Sequence, residues 1–213
     1  MSDHRSTELG DIIHVDVWGP YRTETVDGYK YFLTIVDNYT RSCWLFLLTS
    51  KTEVYDNFLI FYNLLKTQFN KTVKIFRSDN GSEFINKRFE SFFSTNGIIN
   101  QTTCVYTPQQ NGVAERKHRH LLNVARSLLF QSGVPLKHWG DAVLTAAYLI
   151  NRAPSSVLKG KTPYEMIYNK EPFLNHLRVF GCLCFATKMN VTDKFETKAE
   201  KCVFVGYSNV KKV

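Results

Sequence analysis

Three acids stand where they could do chemistry together. Asp16 lies inside the apolar run Ile12-Ile13-His14-Val15-Asp16-Val17-Trp18, where a lone charge is costly unless something pairs with it. Asp79 ends a second apolar run, just where a strand would give way to Asn80-Gly81. Glu115 opens a long amphipathic segment, with 35 residues between it and Asp79. Acids at two strands and a helix start can converge in space and hold hard cations such as Mg²⁺. A carboxylate-held metal pair is a recurrent device for attacking phosphodiesters. The chemistry indicated is that of DNA.

Each acid also has an ordinary reading by itself. Asp16 suits a turn ahead of Gly19-Pro20, and Asp79 an Asx-turn ahead of Asn80-Gly81. Glu115 could simply be an acid stabilised by a helix N-terminus. The helix phase of Glu115 argues for more. At about 100° per residue, Leu121, Leu122, Val124, Ala125, Leu128 and Leu129 form one apolar arc, with Glu115, Arg119 and Arg126 along its edge. That border of core and solvent is where a metal-ligating carboxylate belongs. Asp37 is explained by its turn context, and Glu83, four residues after Asp79, reads as a supporting or helix-start acid. His118 either points near the same site or is a polar histidine on the helix edge. Lys117, Arg119 and His120 suit phosphate contacts.

The elements that must position these residues are legible in outline. Residues 11–17, 31–36 and 42–48 read as strands, the last two joined by the turn-favouring Asp37-Asn38-Tyr39-Thr40. The spacing of Val54, Phe58, Phe61, Leu64, Leu65 and Phe69 predicts a helix over 52–69 capped by Thr52. A fourth strand is expected at 73–78, a short helix at 86–95 ending before Gly97, and a fifth strand at 98–103. A polar loop, 106–112, leads to a long helix over 113–131, a second over 139–151, and a short one from Thr162-Pro163 through Ile167. Strand-like segments follow at 178–186 and 201–207. This order implies an α/β fold with a mixed sheet flanked by helices. It divides into a polar tail (1–10), a core (11–135), a helical extension (136–172) and a small β element (173–213) that cannot bury a core alone.

Composition sets bounds on the whole. With 213 residues, 44% of them hydrophobic and 14% aromatic, the chain can bury one domain and is not disordered. No apolar stretch reaches the roughly 18 residues needed to span a bilayer, and the first residues lack the apolar core of a signal peptide. The expectation is a soluble, intracellular protein with no membrane partner. The five cysteines are odd in number, and Cys182-Leu183-Cys184 is too tight for a zinc CxxC. Buried packing of those thiols in a reducing compartment is expected. The net charge of +8 is uneven: residues 1–110 hold 11 Lys+Arg against 12 Asp+Glu, and residues 111–213 hold 16 against 7. Acid-bearing strands followed by a basic half suit a metal site beside a polyanion track, although a basic solvated face would look the same.

At these residues the chain resembles a known family. His14-Val15-Asp16-Val17-Trp18-Gly19-Pro20, Arg77-Ser78-Asp79-Asn80-Gly81-Ser82-Glu83-Phe84 and Tyr106-Thr107-Pro108-Gln109-Gln110-Asn111-Gly112-Val113-Ala114-Glu115-Arg116 look like the three motif blocks of retroviral-type integrase catalytic cores. The family's Asp, Asp, Glu spacing of 35 residues is matched. Segments 139–152, 161–165 and 178–182 resemble the integrase region of copia-type LTR retrotransposon polyproteins.

The resemblance implies an RNase H-like mixed five-stranded sheet, then helical segments and a truncated SH3-like element. It also implies a zinc-binding module upstream, which nothing before Asp11 supplies. The implied activity is polynucleotidyl transfer, joining 3′-OH ends of element DNA to target DNA. Asp16, Asp79 and Glu115 would hold two Mg²⁺ (or Mn²⁺) ions, with DNA contacts at Asn80, Gln110, Asn111, Lys117, His118 and Arg119. A homo-oligomer acting on chromosomal DNA in the nucleus is expected, with cytoplasmic particles as an earlier stage. A nucleic-acid-binding remnant without catalysis and an RNase H-type nuclease are the alternatives.

Overall fold

The computed structural model describes residues 6–102, 112–189 and 194–207. Its centre is a five-stranded sheet of β1 (Ile12–Trp18), β2 (Tyr31–Asp37), β3 (Cys43–Leu48), β4 (Ile75–Ser78) and β5 (Ile99–Thr102). The spatial order is β3-β2-β1-β4-β5. The first three strands pair antiparallel, whereas β4 lies parallel to both β1 and β5. The helix between β3 and β4, α1 (Val54–Phe69), and the helix between β4 and β5, α2 (Lys87–Asn96), supply the crossovers that parallel pairing requires.

Alternation along the strands divides the interior into two cores. Ile13, Val15, Leu33, Ile35 and Phe76 pack against Phe58, Phe61, Phe89 and Phe93 of α1 and α2. The Phe76 and Phe93 ring centroids are 4.9 Å apart, and Phe58 meets Phe76 edge-on at 5.2 Å. Burying each such ring stabilises the fold by roughly 2–3 kcal/mol. On the opposite face, Phe32, Val36 and Leu45 pack against α3 (Gly112–Ser132) and α4 (Trp139–Ile150). Asn151 fastens the end of α4 to the sheet, accepting from Cys43 N–H at 2.9 Å and donating to Cys43 C=O at 2.8 Å.

A short α5 (Pro163–Tyr168) follows, with the capping box Thr162–Glu165 at its start. An antiparallel hairpin of β6 (Leu183–Thr187) and β7 (Ala199–Val203) comes last.

Three expectations need correction. The cap ahead of α1 is Ser50, which accepts from Thr52 N–H, while Glu53 reaches back to Ser50 N–H. A serine three residues before a glutamate satisfies two orphan donors together, which Thr52 could not do. The first hairpin strand begins at Leu183 rather than 178, because Gly181 turns the chain at φ +83° and Phe180 is buried with α4. Cys182 and Cys184 are half-buried rather than packed away, as is Cys202 opposite Cys184.

Candidate active site

Strand pairing brings the first two acids together. His14 is level with Arg77 across the parallel β1–β4 pair, so Asp16 stands level with Asp79, one residue past the end of β4. The carboxylate of Asp16 faces α3 and is only 17% exposed. Its Oδ1 accepts from Val17 N–H at 2.8 Å, and its Oδ2 lies 3.3 Å from His118 Nδ1. Asp79 Oδ1 accepts from Gly81 N–H at 3.0 Å, the Asx-turn geometry. Glu115 sits in the first turn of α3 on its exposed side.

The acids act on one another electrostatically. Burial first, then the charges of Asp79, Glu115 and Glu83, lift the Asp16 carboxyl to about 7 against the opposing Val17 hydrogen bond. Among the described residues, however, no three His, Cys, Asp or Glu side chains stand close enough together to hold an ion as they are. The carboxylates share a field without closing into a cage.

Glu83 belongs to this neighbourhood more intimately than its place in the sequence suggests. A Cβ on Gly81 would lie 2.9 Å from Glu83 Oε2 and 3.0 Å from Asp79 Oδ1. The missing side chain at Gly81 is therefore what lets the two acids approach. Glu83 is nearly buried and pairs with Lys51 Nζ at 2.7 Å. Sequence reasoning missed Lys51, because one lysine in Ser50-Lys51-Thr52-Glu53 carries no signal beyond an ordinary helix start.

The remaining candidates divide by position. His118 is buried, its ring edge-on to Phe32 at 5.3 Å. Burial lowers its pKa to about 4, so the ring is neutral at pH 7. Nε2 is buried without a partner, and Nδ1 is the ring nitrogen turned towards Asp16 Oδ2. The helix-edge reading of His118 is thereby corrected: α3 lies low across β1 and β2, which leaves no open edge at this turn. Lys117 donates to Arg41 C=O at 3.0 Å. Arg119 is exposed on α3, and Asn80 is exposed after Asp79. Gln110 and Asn111 lie outside the described residues. Asp37 is fully buried and accepts from Gly10 N–H, Thr40 N–H and Thr40 Oγ1, the turn role expected of it.

His14, on the same face as Asp16, is buried and held neutral. Burial, then the charges of Arg77, Arg41 and Arg116, lowers its pKa to about 4 against the Asn38 hydrogen bond.

A five-stranded mixed sheet in this order, with helices on both faces, is an RNase H-like core. The integrase core domain family matches residues 6–108. The chain is 39% identical, over 98% of its length, to the retrovirus-related Pol polyprotein from transposon TNT 1-94 of Nicotiana tabacum. It is 38% identical, again over 98%, to that from transposon RE1 of Arabidopsis thaliana. It spans only 16% and 14% of those relatives' lengths. The chain belongs to the integrase core family and is related to the retrovirus-related Pol polyproteins of transposons, consistent with the copia-type resemblance of its downstream motifs.

Solved structures agree on the fold. The HTLV-2 integrase catalytic core domain in complex with magnesium (trimeric form) aligns with a TM-score of 0.58 at 20% identity, over 77% of this chain and all of that one. A chain of the simian T-cell lymphotropic virus intasome in complex with PP2A regulatory subunit B56 gamma aligns with a TM-score of 0.63 at 16% identity. It covers 94% of this chain and 69% of that one.

Proposed function

We propose that this chain is the catalytic core of a DNA integrase that joins 3′-OH ends of retrotransposon DNA to target DNA by metal-dependent polynucleotidyl transfer. The observation that carries this reading is the Asp16 carboxyl, buried and raised to about 7 beside Asp79, Glu115 and Glu83 in a chain of the integrase core family. The charges that raise Asp16 are all carboxylates, hard oxygen donors of the kind that suit Mg²⁺ or Mn²⁺. Asp16, Asp79 and Glu115 would hold two such ions. Bound there, they would supply the charge that activates an attacking oxygen and stabilises a leaving 3′ oxygen.

The chain's own residues prepare the site. Val17 N–H holds one oxygen of Asp16, and the buried His118 ring lies against the other. Gly81 N–H fixes Asp79 in the same way. The His118 ring beside Asp16 packs edge-on against Phe32, and both rings are buried. Arg119 and Asn80 face outward, where a DNA backbone would run. DNA ends and target DNA are thus the partners. A homo-oligomer would present both ends, and chromosomal targets place the step in the nucleus.

Strand-transfer and disintegration assays with Mn²⁺ and branched DNA test the reading. Asp16→Asn, Asp79→Asn and Glu115→Gln should each lower activity at least about 100-fold, the scale of losing one charge-stabilising group, with the thermal midpoint maintained. Wild-type turnover in any of the three sinks the assignment. A wild-type chain that binds DNA but turns over neither substrate would favour a non-catalytic nucleic-acid-binding role. The absence of a closed ligand cage among the described residues is the observation on that side.

A further inference from the structure

We propose that Lys51 is a nucleic-acid contact residue, its ammonium held by Glu83 at the rim of the acidic site so that it can take a phosphate oxygen of bound DNA. The proposal rests on the nucleic-acid reading of the site and adds a residue to it.

Four acids, Asp16, Asp79, Glu83 and Glu115, influence one site, and a phosphodiester approaching it meets their repulsion. A cation on the same rim would offset that repulsion where the backbone enters. Lys51 has the required placement. Its Nζ lies 2.7 Å from Glu83 Oε1, and Glu83 reaches the same point above Gly81 as Asp79 Oδ1 does. The bond to Glu83 raises the lysine's pKa most; burial opposes it, and the charges of Glu83 and Asp79 add to the rise. It is charged at any pH at which DNA is bound.

The backbone beneath it is fixed rather than loose. Lys51 opens the short 3-10 turn ahead of α1, closed by the reciprocal Ser50–Glu53 capping box. The side chain is 45% exposed. Nζ carries three donors, and one of them is directed at Glu83, which leaves donors that can turn to a phosphate without breaking the ion pair. A purely structural ion pair with so exposed a lysine would contribute little to stability, and it would have no bearing on DNA affinity.

The test is the salt dependence of DNA binding by the 213-residue chain. Fluorescence anisotropy with a short labelled duplex is measured in EDTA across a range of KCl concentrations, so that only side-chain cations contribute. Lys51→Ala should weaken binding roughly 3–10-fold near 0.1 M salt and reduce the slope of log K against log[salt] by about one, the signature of one lost phosphate contact. Lys51→Arg should restore the slope. Lys66→Ala, an equal loss of charge on the exposed side of α1, should leave the slope unchanged.

Equal slopes for Lys51→Ala and wild type overturn the Lys51 assignment alone. Equal reductions in Lys51→Ala and Lys66→Ala overturn it too, since net charge then suffices. A wild-type chain that shows no salt-dependent binding overturns this proposal and the nucleic-acid reading together.

Discussion

At the scale of single residues, His118 shows how a buried neutral ring can back a candidate metal-holding carboxylate. Its Nδ1 faces Asp16 and its edge rests on Phe32, so it acts on the candidate chemistry through Asp16. His118→Ala would remove a buried, packed ring, destabilising the protein by about 2–3 kcal/mol. It would also release the carboxylate, lowering the disintegration rate about 10–100-fold, as loss of a ligand-orienting partner does. His118→Asn, which keeps a donor near the Nδ1 position, should recover part of the rate. An alanine variant with full activity would show that Asp16 is held well enough by Val17 alone. The acids themselves were legible because a charge inside an apolar run, or at a strand's end, stands out against its neighbours. The ring of His118 did not stand out. Helical phase places it beside Glu115 but says nothing of how deeply α3 sinks onto β1 and β2, which long-range packing decides.

At the scale of elements, short-range signals decided what could be read. Thr162-Pro163 and Gly97 mark helix ends that the structure keeps, with Gly97 at φ +66° where a side chain would be strained. The start of α1 was misplaced because two hydroxyl residues two positions apart, Ser50 and Thr52, competed for one cap. Ser50→Ala should therefore destabilise the protein by about 1 kcal/mol in chemical denaturation, and Thr52→Ala by less than half of that. The reverse order would restore Thr52 as the cap.

The segment before β1 is tied down by Asp11, which accepts from Thr7 N–H, Glu8 N–H and Lys74 Nζ. Burial alone would raise this carboxyl, but the Lys74 and backbone bonds outweigh it and hold the pKa at about 2, below the ordinary 3.8. The native state thus binds the proton less readily than the unfolded chain does. The contribution is complete above about pH 4 and is lost as pH falls toward 2. Asp11→Asn should be less stable than wild type at pH 7, with the difference vanishing near pH 2 in acid titrations of the denaturation midpoint. A difference that grows toward low pH would reverse the assignment.

At the scale of the whole molecule, the sheet separates two jobs. Its α1–α2 face is a nearly all-apolar core rich in phenylalanine. Its other face carries His14 and Asp16 under the basic second half of the chain. That division was visible in the charge split at residue 110, but how the last segment attaches was not, since its anchors are aromatic contacts between distant residues. Tyr207 stacks on Tyr148 of α4 at 4.3 Å, and its hydroxyl accepts from Arg178 N–H and donates to Arg178 C=O. Tyr148 in turn bonds His176 at 2.6 Å and carries Arg152 over its ring at 3.4 Å. The hairpin itself is largely exposed, with Leu183, Phe185 and Val203 each more than half accessible, so these rings, with Phe180, hold its base to the core. Tyr207→Ala should loosen the hairpin while leaving the sheet intact. Hydrogen exchange at amides 182–187 and 199–204 should quicken at least about tenfold, equivalent to about 1.4 kcal/mol of local stability, with β1 and β2 unchanged. If exchange quickens equally in β1 and β2, the aromatic anchor is part of the global core and the hairpin does not open as a separate unit. If no amide responds, Phe180 and Val205, with the Thr145 bond to Val205 C=O, suffice to dock it.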